Sequence, residues 1–191
     1  MSDKKKGILV LYSGSSGVGK GTIMSELLKK DNTIRLSVSN TTRTPRKGEI
    51  DGVHYNFVTK EQFIDLINND GYLEYAEYCG NYYGTPKQQV EDLLNEGYNV
   101  FLEIEVQGGL QIMEKYPDIL SVFVLPPSIE SLERRLRRRG TENEDTIMQR
   151  LSEARHEIGF KDKYKYNVVN DDLDTAVNEI LTILHNELAD N

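Results

Sequence analysis

A chain of 191 residues with 38% hydrophobic side chains can bury one sizeable core and suits a single compact domain. Its 31 acidic residues outnumber 23 basic ones, and the net charge of −8 disfavours general binding to nucleic acid or to an anionic membrane. One cysteine, Cys79, excludes an internal disulfide and suits a reducing compartment, and no apolar run reaches the length of a membrane span, so a soluble cytoplasmic protein is expected.

Met1 to Lys6 reads as a polar tail. Lys4-Lys5-Lys6 ahead of an apolar run has the flavour of a secretion signal, but the run is too short. Residues 8–12, Ile-Leu-Val-Leu-Tyr, read instead as a buried strand. The stretch Gly14-Ser15-Ser16-Gly17-Val18-Gly19-Lys20-Gly21-Thr22 follows, and then a helical pattern on Ile23, Leu27 and Leu28. Strand, glycine-rich turn and helix fit G-x-x-x-x-G-K, a loop that cradles phosphate. Its glycines let backbone N–H groups turn around an anion, and a helix starting near Gly21 aims its positive end at the same place. Lys20 adds a mobile charge for the outer phosphates. The position after the lysine, where Ser or Thr would ligate magnesium, is Gly21. Either Thr22 reaches the metal from one place later, or water and phosphate oxygens hold it.

Residues 34–39 read as a second strand. From Asn40 to Val53 apolar residues are sparse, while Arg43 and Arg46 lie three apart with Tyr55 downstream. Two guanidiniums and a phenol can clamp one phosphate; a solvated loop with scattered charge has the same composition. Residues 54–58 and 72–78 read as strands, 81–85 as a turn into another, and Phe63, Ile64 and Ile67 mark a helix between. Val90, Leu93 and Leu94 mark a helix stopped at Gly97.

The second half returns to alternating strands and helices. Residues 100–105 read as a strand ending in Glu103-Ile104-Glu105, and 120–125 as a buried strand closed by Pro126-Pro127. Ser128 can cap a helix bearing Ile129, Leu132 and Leu136. Thr141 and Glu144 have capping-box spacing for a helix with Ile147, Leu151, Ala154 and Ile158. A short strand at 167–169 precedes a last helix from Leu173 to Leu188. The pattern predicts an α/β fold, a parallel sheet covered by helices on both faces, with an insert of short strands and a helix between about 40 and 97. Ligands in such sheets bind beyond the C-terminal strand ends, where the phosphate loop, Ser39 and Glu103-Ile104-Glu105 are expected. The charge pattern of the run from Arg134 to Arg139 reads first as a solvated helix face. Cys79, His54, His156 and His185 show no metal spacing and no nucleophile–base pairing.

The stretch Ser39-Asn40-Thr41-Thr42-Arg43-Thr44-Pro45-Arg46-Lys47-Gly48-Glu49, with Gly52 and Tyr55-Asn56-Phe57, resembles the GMP-binding signature of guanylate kinases. Glu74, the run Gly80 to Thr85, the Glu-Ile-Glu strand end, Arg137-Arg138-Arg139-Gly140-Thr141-Glu142 and Val169-Asn170-Asp171-Asp172 follow in that family's order. The resemblance runs from about Gly7 to the last helix. It implies a P-loop NTPase-type fold in one domain, 1–191, with a core of 7–39, 98–134 and 151–191, a GMP-binding region of 40–97 and a lid of 135–150.

It also implies roles. Arg43, Arg46, Tyr55 and Tyr83 would hold the GMP phosphate, with Glu49 supporting the arginine pair. Ser39, Glu74, Thr85 and Glu105 would surround the guanine base. Gly14 to Thr22 and Asn170 would bind ATP, and Lys20, Arg43 and the lid residues Arg135, Arg139 and Arg150 would serve catalysis. Thr22 and Glu103 would meet magnesium. Many family members have Asp where this chain has Glu103 and Glu105, so each carboxylate here reaches one bond further. Arg134, Arg137 and Arg138 are expected at the surface.

Hydrogen-bond chemistry supports the base assignments. Guanine offers N1–H and a 2-amino group on one edge, both of which one carboxylate can accept; adenine presents a lone pair at N1. Ser39 and Thr85 hydroxyls can donate to O6. The expected reaction is transfer of the γ-phosphoryl group of ATP to GMP with magnesium, giving ADP and GDP, in purine nucleotide recycling. Two other readings compete. A scaffold-type guanylate-kinase-like binding module is opposed by the intact phosphate loop with Lys20, and an adenylate kinase by Glu74 and the Thr41–Tyr55 motif.

Overall fold

The computed structural model describes residues 5–140 and 143–190, the side chain of Arg139 excepted. In chain order the first elements are β1 (Leu9–Gly14), α1 (Lys20–Lys30), β2 (Ile34–Leu36), β3 (Asn40–Thr41), β4 (Asn56–Phe57) and α2 (Lys60–Asn68). Next come β5 (Tyr72–Tyr78), β6 (Asn81–Pro86), α3 (Lys87–Asn95), β7 (Asn99–Glu103) and α4 (Val106–Lys115). The chain closes with β8 (Leu120–Leu125), α5 (Ile129–Arg139), α6 (Glu144–Ile158), β9 (Tyr166–Val169) and α7 (Leu173–Asp190).

Five parallel strands form the central sheet in the order β2-β7-β1-β8-β9. Strands buried on both faces read as unbroken apolar runs, and successive side chains enter opposite layers. Val10 and Tyr12 of β1, with Val122 and Val124 of β8, pack under α1 and α7 against Ile23, Leu27, Val177 and Ile180. Leu11 and Phe123 point the other way, with Val100 and Leu102 of β7, against Val90 of α3 and Ile112 of α4. Helix α3 stops in a Schellman turn. Gly97, at φ 88°, donates to Leu94 O and Tyr98 to Leu93 O, which sends the chain back into β7.

The second sheet has the order β4-β3-β6-β5 and mixed direction. Its inner face rests on Phe63 of α2, whose ring stacks on Tyr72 at 4.4 Å and Tyr82 at 5.4 Å. Strands β5 and β6 join through Cys79 (φ 50°) and Gly80 (φ 75°), the left-handed pair that a two-residue hairpin requires. A third, small core of Leu132, Leu136, Ile147, Leu151 and Ala154 lies between α5 and α6.

Most strand boundaries differ from the sequence expectation by a residue or two, and three differences have a visible cause. The second strand ends at Leu36, not residue 39, because after Ser37 donates to Phe101 O the chain leaves the central sheet to join the second one. The acidic strand ends at Glu103, and Glu105 is the N-cap of α4. Helix α6 begins at Glu144, where the Asn143 side chain accepts from Thr146 N; the expected Thr141 cap lies outside the described residues. Ser128 does cap α5, accepting from Ser131 N. Among the described residues no helix is long and apolar enough to cross a membrane.

Candidate active site

Strand β1 delivers Gly14 to the C-terminal edge of the sheet, and α1 starts at Lys20. Between them the backbone turns through Gly17 (φ 77°) and Gly19 (φ 99°), values that β-carbon-bearing residues rarely adopt. A β-carbon on Gly19 would also sit 2.9 Å from Asn170 Nδ2. That amide is buried and donates to Val18 O at 2.8 Å, so the residue after β9 braces the loop from outside. Arg135 of α5 reaches the same place, donating to Asn170 O at 2.8 Å. Lys20 folds over the loop, with Nζ donating to Gly14 O at 2.7 Å. The loop borders an open cavity of about 660 Å³, which Thr22, Glu103, Glu105 and Arg150 also line.

A second, deeper cleft of about 710 Å³ lies between the two sheets, lined by Ser39, Tyr55, Glu74, Tyr83, Glu103 and Glu105 among others. Glu74 is 6% exposed, and its Oε1 accepts the Thr85 hydroxyl at 2.7 Å. Burial pushes its carboxyl above the ordinary range, against the opposing pull of the Thr85 hydrogen bonds. Thr85 itself is fully buried and its hydroxyl donates to Glu74, so in this arrangement it does not donate towards the cleft as expected.

Beside this cleft Arg43 makes a two-pronged bond to Glu49, Nη1 to Oε2 and Nη2 to Oε1, both 2.9 Å. Glu49 Oε2 also accepts from Arg46 N at 2.7 Å, so one carboxylate ties both arginines into a single turn. These bonds hold Glu49 down at about 2. They also raise Arg43, with the Tyr83 hydroxyl adding to the effect. The guanidinium lies 5.4 Å from the Tyr55 ring, and Tyr55 meets Tyr83 edge-on at 6.0 Å. The Arg46 side chain is exposed.

The two cavities share a wall made of Ser16, Glu103 and Glu105. Burial raises Glu103, while the positive charge of Lys20 opposes the shift. Glu157 of α6 also points here, accepting from Ser16 N at 2.7 Å. Its carboxyl is raised mainly by burial, with Glu105 adding to the shift. Glu157 is not among the site residues expected from sequence, which on α6 are Arg150 alone beside the apolar positions. Helical spacing was the available signal: Arg150, Glu153 and Glu157 stand at i, i+3 and i+7, on one face, and all three line the cavities. Arg134, Arg137 and Arg138 are exposed, and Arg137 pairs with Glu133 and Glu144. The Arg139 side chain lies outside the described residues.

A phosphate loop at the end of the central strand of a parallel sheet, flanked by helices, defines a P-loop NTPase-type fold. Comparison with known proteins narrows the class. The family model for guanylate kinase matches residues 5–187. The guanylate kinase of Clostridium perfringens (strain SM101 / Type A) is 51% identical over 179 residues, covering 94% of this chain and 83% of that one. That of Oceanobacillus iheyensis is 49% identical over 184 residues, covering 96% and 89%. A crystal structure of guanylate kinase from Anaplasma phagocytophilum superposes with a TM-score of 0.75 at 36% identity, covering 96% of this chain and 87% of that one. The chain belongs to the guanylate kinase family and is an enzyme of that family.

Proposed function

We propose that the enzyme moves the γ-phosphoryl group of ATP onto GMP, giving ADP and GDP, as a step in purine nucleotide recycling. The observation that carries this is the shared wall: a phosphate-loop cavity and a cleft with a buried carboxylate meet at Ser16, Glu103 and Glu105. In this reading residues 40–97 hold GMP and residues 135–150 act as the lid. A GMP phosphate oxygen attacks the γ-phosphorus in line, and the bond to the ADP oxygen breaks. That oxygen already carries charge, since second phosphate pKa values lie near 6, so no strong base is required. Catalysis is then positioning plus charge stabilisation.

Each side chain has a task in this scheme. Lys20 leaves Gly14 O for the transferring group. Arg150 already lines the cavity, whereas Arg135 must leave Asn170 O, by a change of rotamer or a shift of α5. Arg43, fixed by Glu49, holds the GMP phosphate together with Arg46, Tyr55 and Tyr83. Glu74 accepts from guanine N1–H and the 2-amino group, and Ser39 donates to O6. Thr85 acts through Glu74, whose carboxylate it orients. Asn170 contributes to the ATP site by bracing the loop. Closure over both nucleotides excludes water and suppresses ATP hydrolysis.

The donor set suits magnesium in a limited way. Thr22 and Glu103 offer hard oxygens on the loop cavity, while no group of three or more His, Cys, Asp or Glu stands ready for a metal among the described residues. Bound magnesium would neutralise phosphate charge, with phosphate oxygens and water completing its shell.

The test is an ADP-release assay with ATP and magnesium, comparing GMP with AMP, CMP and UMP. Turnover on GMP should exceed that on AMP by on the order of 10⁴ if the buried carboxylate reads the base. Equal turnover on AMP would overturn the base assignment, and no turnover from folded protein would overturn the reaction.

A further inference from the structure

Helix α4 opens with Val106-Gln107-Gly108-Gly109, two glycines in its first turn. Glycine is a poor helix former, so the pair calls for a packing reason. Gly109 backs onto the hydroxyl of Tyr164, which a β-carbon there would approach to 2.6 Å. Gly108 backs onto Glu74, and its β-carbon would stand 2.9 Å from Oε2.

The Glu74 carboxylate cannot give way freely. The opposite oxygen of the same carboxylate, Oε1, is tied to Thr85 at 2.7 Å, in a site where Glu74 is 6% exposed and Thr85 fully buried. The backbones are pinned as well. Lys115, at the far end of α4, donates to Leu73 O at 2.8 Å, one residue before Glu74 on β5. Helix and strand therefore cannot drift apart without breaking that bond. The first turn of a helix also favours a nearby carboxylate.

We infer that Gly108 is a positioning residue for base recognition: lacking a side chain, it lets the Glu74 carboxylate lie against the first turn of α4 while holding Thr85 and lining the cleft. This rests on the proposed reading of guanine by Glu74. Any β-carbon at 108 displaces Oε2, and the carboxylate must either rotate or surrender Thr85. The effect belongs to the base site; the phosphate-loop cavity is not lined by Gly108.

The test is a double-mutant cycle in the full chain: Gly108→Ala, Glu74→Ala and the pair. Calorimetric binding of GMP, AMP and ATP, steady-state kinetics and thermal unfolding are measured on each. Gly108→Ala should raise Kd and KM for GMP at least tenfold, narrow the preference over AMP and leave ATP binding within twofold. On the Glu74→Ala background the same change should alter none of these by more than twofold. Unchanged GMP affinity and preference in Gly108→Ala, or an equal loss on both backgrounds, would overturn the inference. If Gly108→Ala alone does not fold, recovery of folding in the pair supports the contact, and failure of the pair refutes it. Wild-type protein that prefers AMP would defeat the guanine reading and the specificity role with it. The coupling in Tm between 74 and 108 would still report on the contact itself.

Discussion

Arg43 and Glu49 show how a flexible, polar stretch becomes a rigid site. A guanidinium fork matches a carboxylate in two parallel bonds, and the spare lone pair of Glu49 takes the Arg46 N–H. The carboxylate is held at about 2, against an ordinary 4.5. A depressed acid contributes stability above its unfolded pKa and loses it as pH falls through the folded one. Urea midpoints of the wild type and Glu49→Gln should therefore differ at pH 6, converge as pH falls below about 4.5, and coincide below 2. A gap that persists at the acid end would mean the bond is not the source. Lys20 is the second case. In the proposed reaction its charge counts in the transition state, so Lys20→Ala should lower kcat by at least about 10³ while GMP binding stays near wild type. A variant that keeps most of its rate would remove Lys20 from the chemistry.

Element by element, the site is assembled from ends. Strands β1 and β7 bring Gly14 and Glu103 to one edge, and α1 and α4 start there. Helix α6 touches both cavities, as the end of β7 does at Glu103, through Arg150 on one side and Glu153, His156 and Glu157 on the other. Its anchor to the loop is the bond from Ser16 N to Glu157. A hydrogen bond to a charged group contributes about 1.5–3 kcal/mol. Glu157→Ala should therefore reduce kcat/KM for ATP by roughly ten- to a hundredfold, and Glu157→Gln, which keeps an oxygen acceptor, should recover much of the loss. Equal loss in both variants would show that the charge matters rather than the bond.

For the molecule as a whole, the packing is uneven. Two extensive clusters cover the faces of the central sheet, whereas α5 and α6 share only a small core of their own. Regions with few buried apolar contacts open at lower free energy than the global transition. Amide exchange should show α5 and α6 opening well before β1, β7 and β8, and bound nucleotides should slow the helices most. Uniform protection across all of these would argue against a separately moving lid.

Much of this was legible in the residues themselves. Period-two and unbroken apolar runs marked the central strands, because a strand buried on both faces has no polar side to show. The phosphate loop was legible because its glycines and lysine act through local backbone geometry. The Arg43–Glu49 turn was carried by a dense local motif. What required tertiary structure was everything set by distance along the chain. That the Thr85 hydroxyl donates to Glu74, that Asn170 braces Val18 and that Glu157 reaches Ser16 are contacts 11, 152 and 141 residues apart. No local pattern encodes them. The strand ends at Leu36 and Glu103 were decided by where the chain leaves the central sheet, in one case for the second sheet and in the other for α4, and the place of Gly108 by a carboxylate on another sheet. Sequence alone determined the elements and the anion-handling chemistry; packing decided which groups are free to meet a substrate and which are already committed to one another.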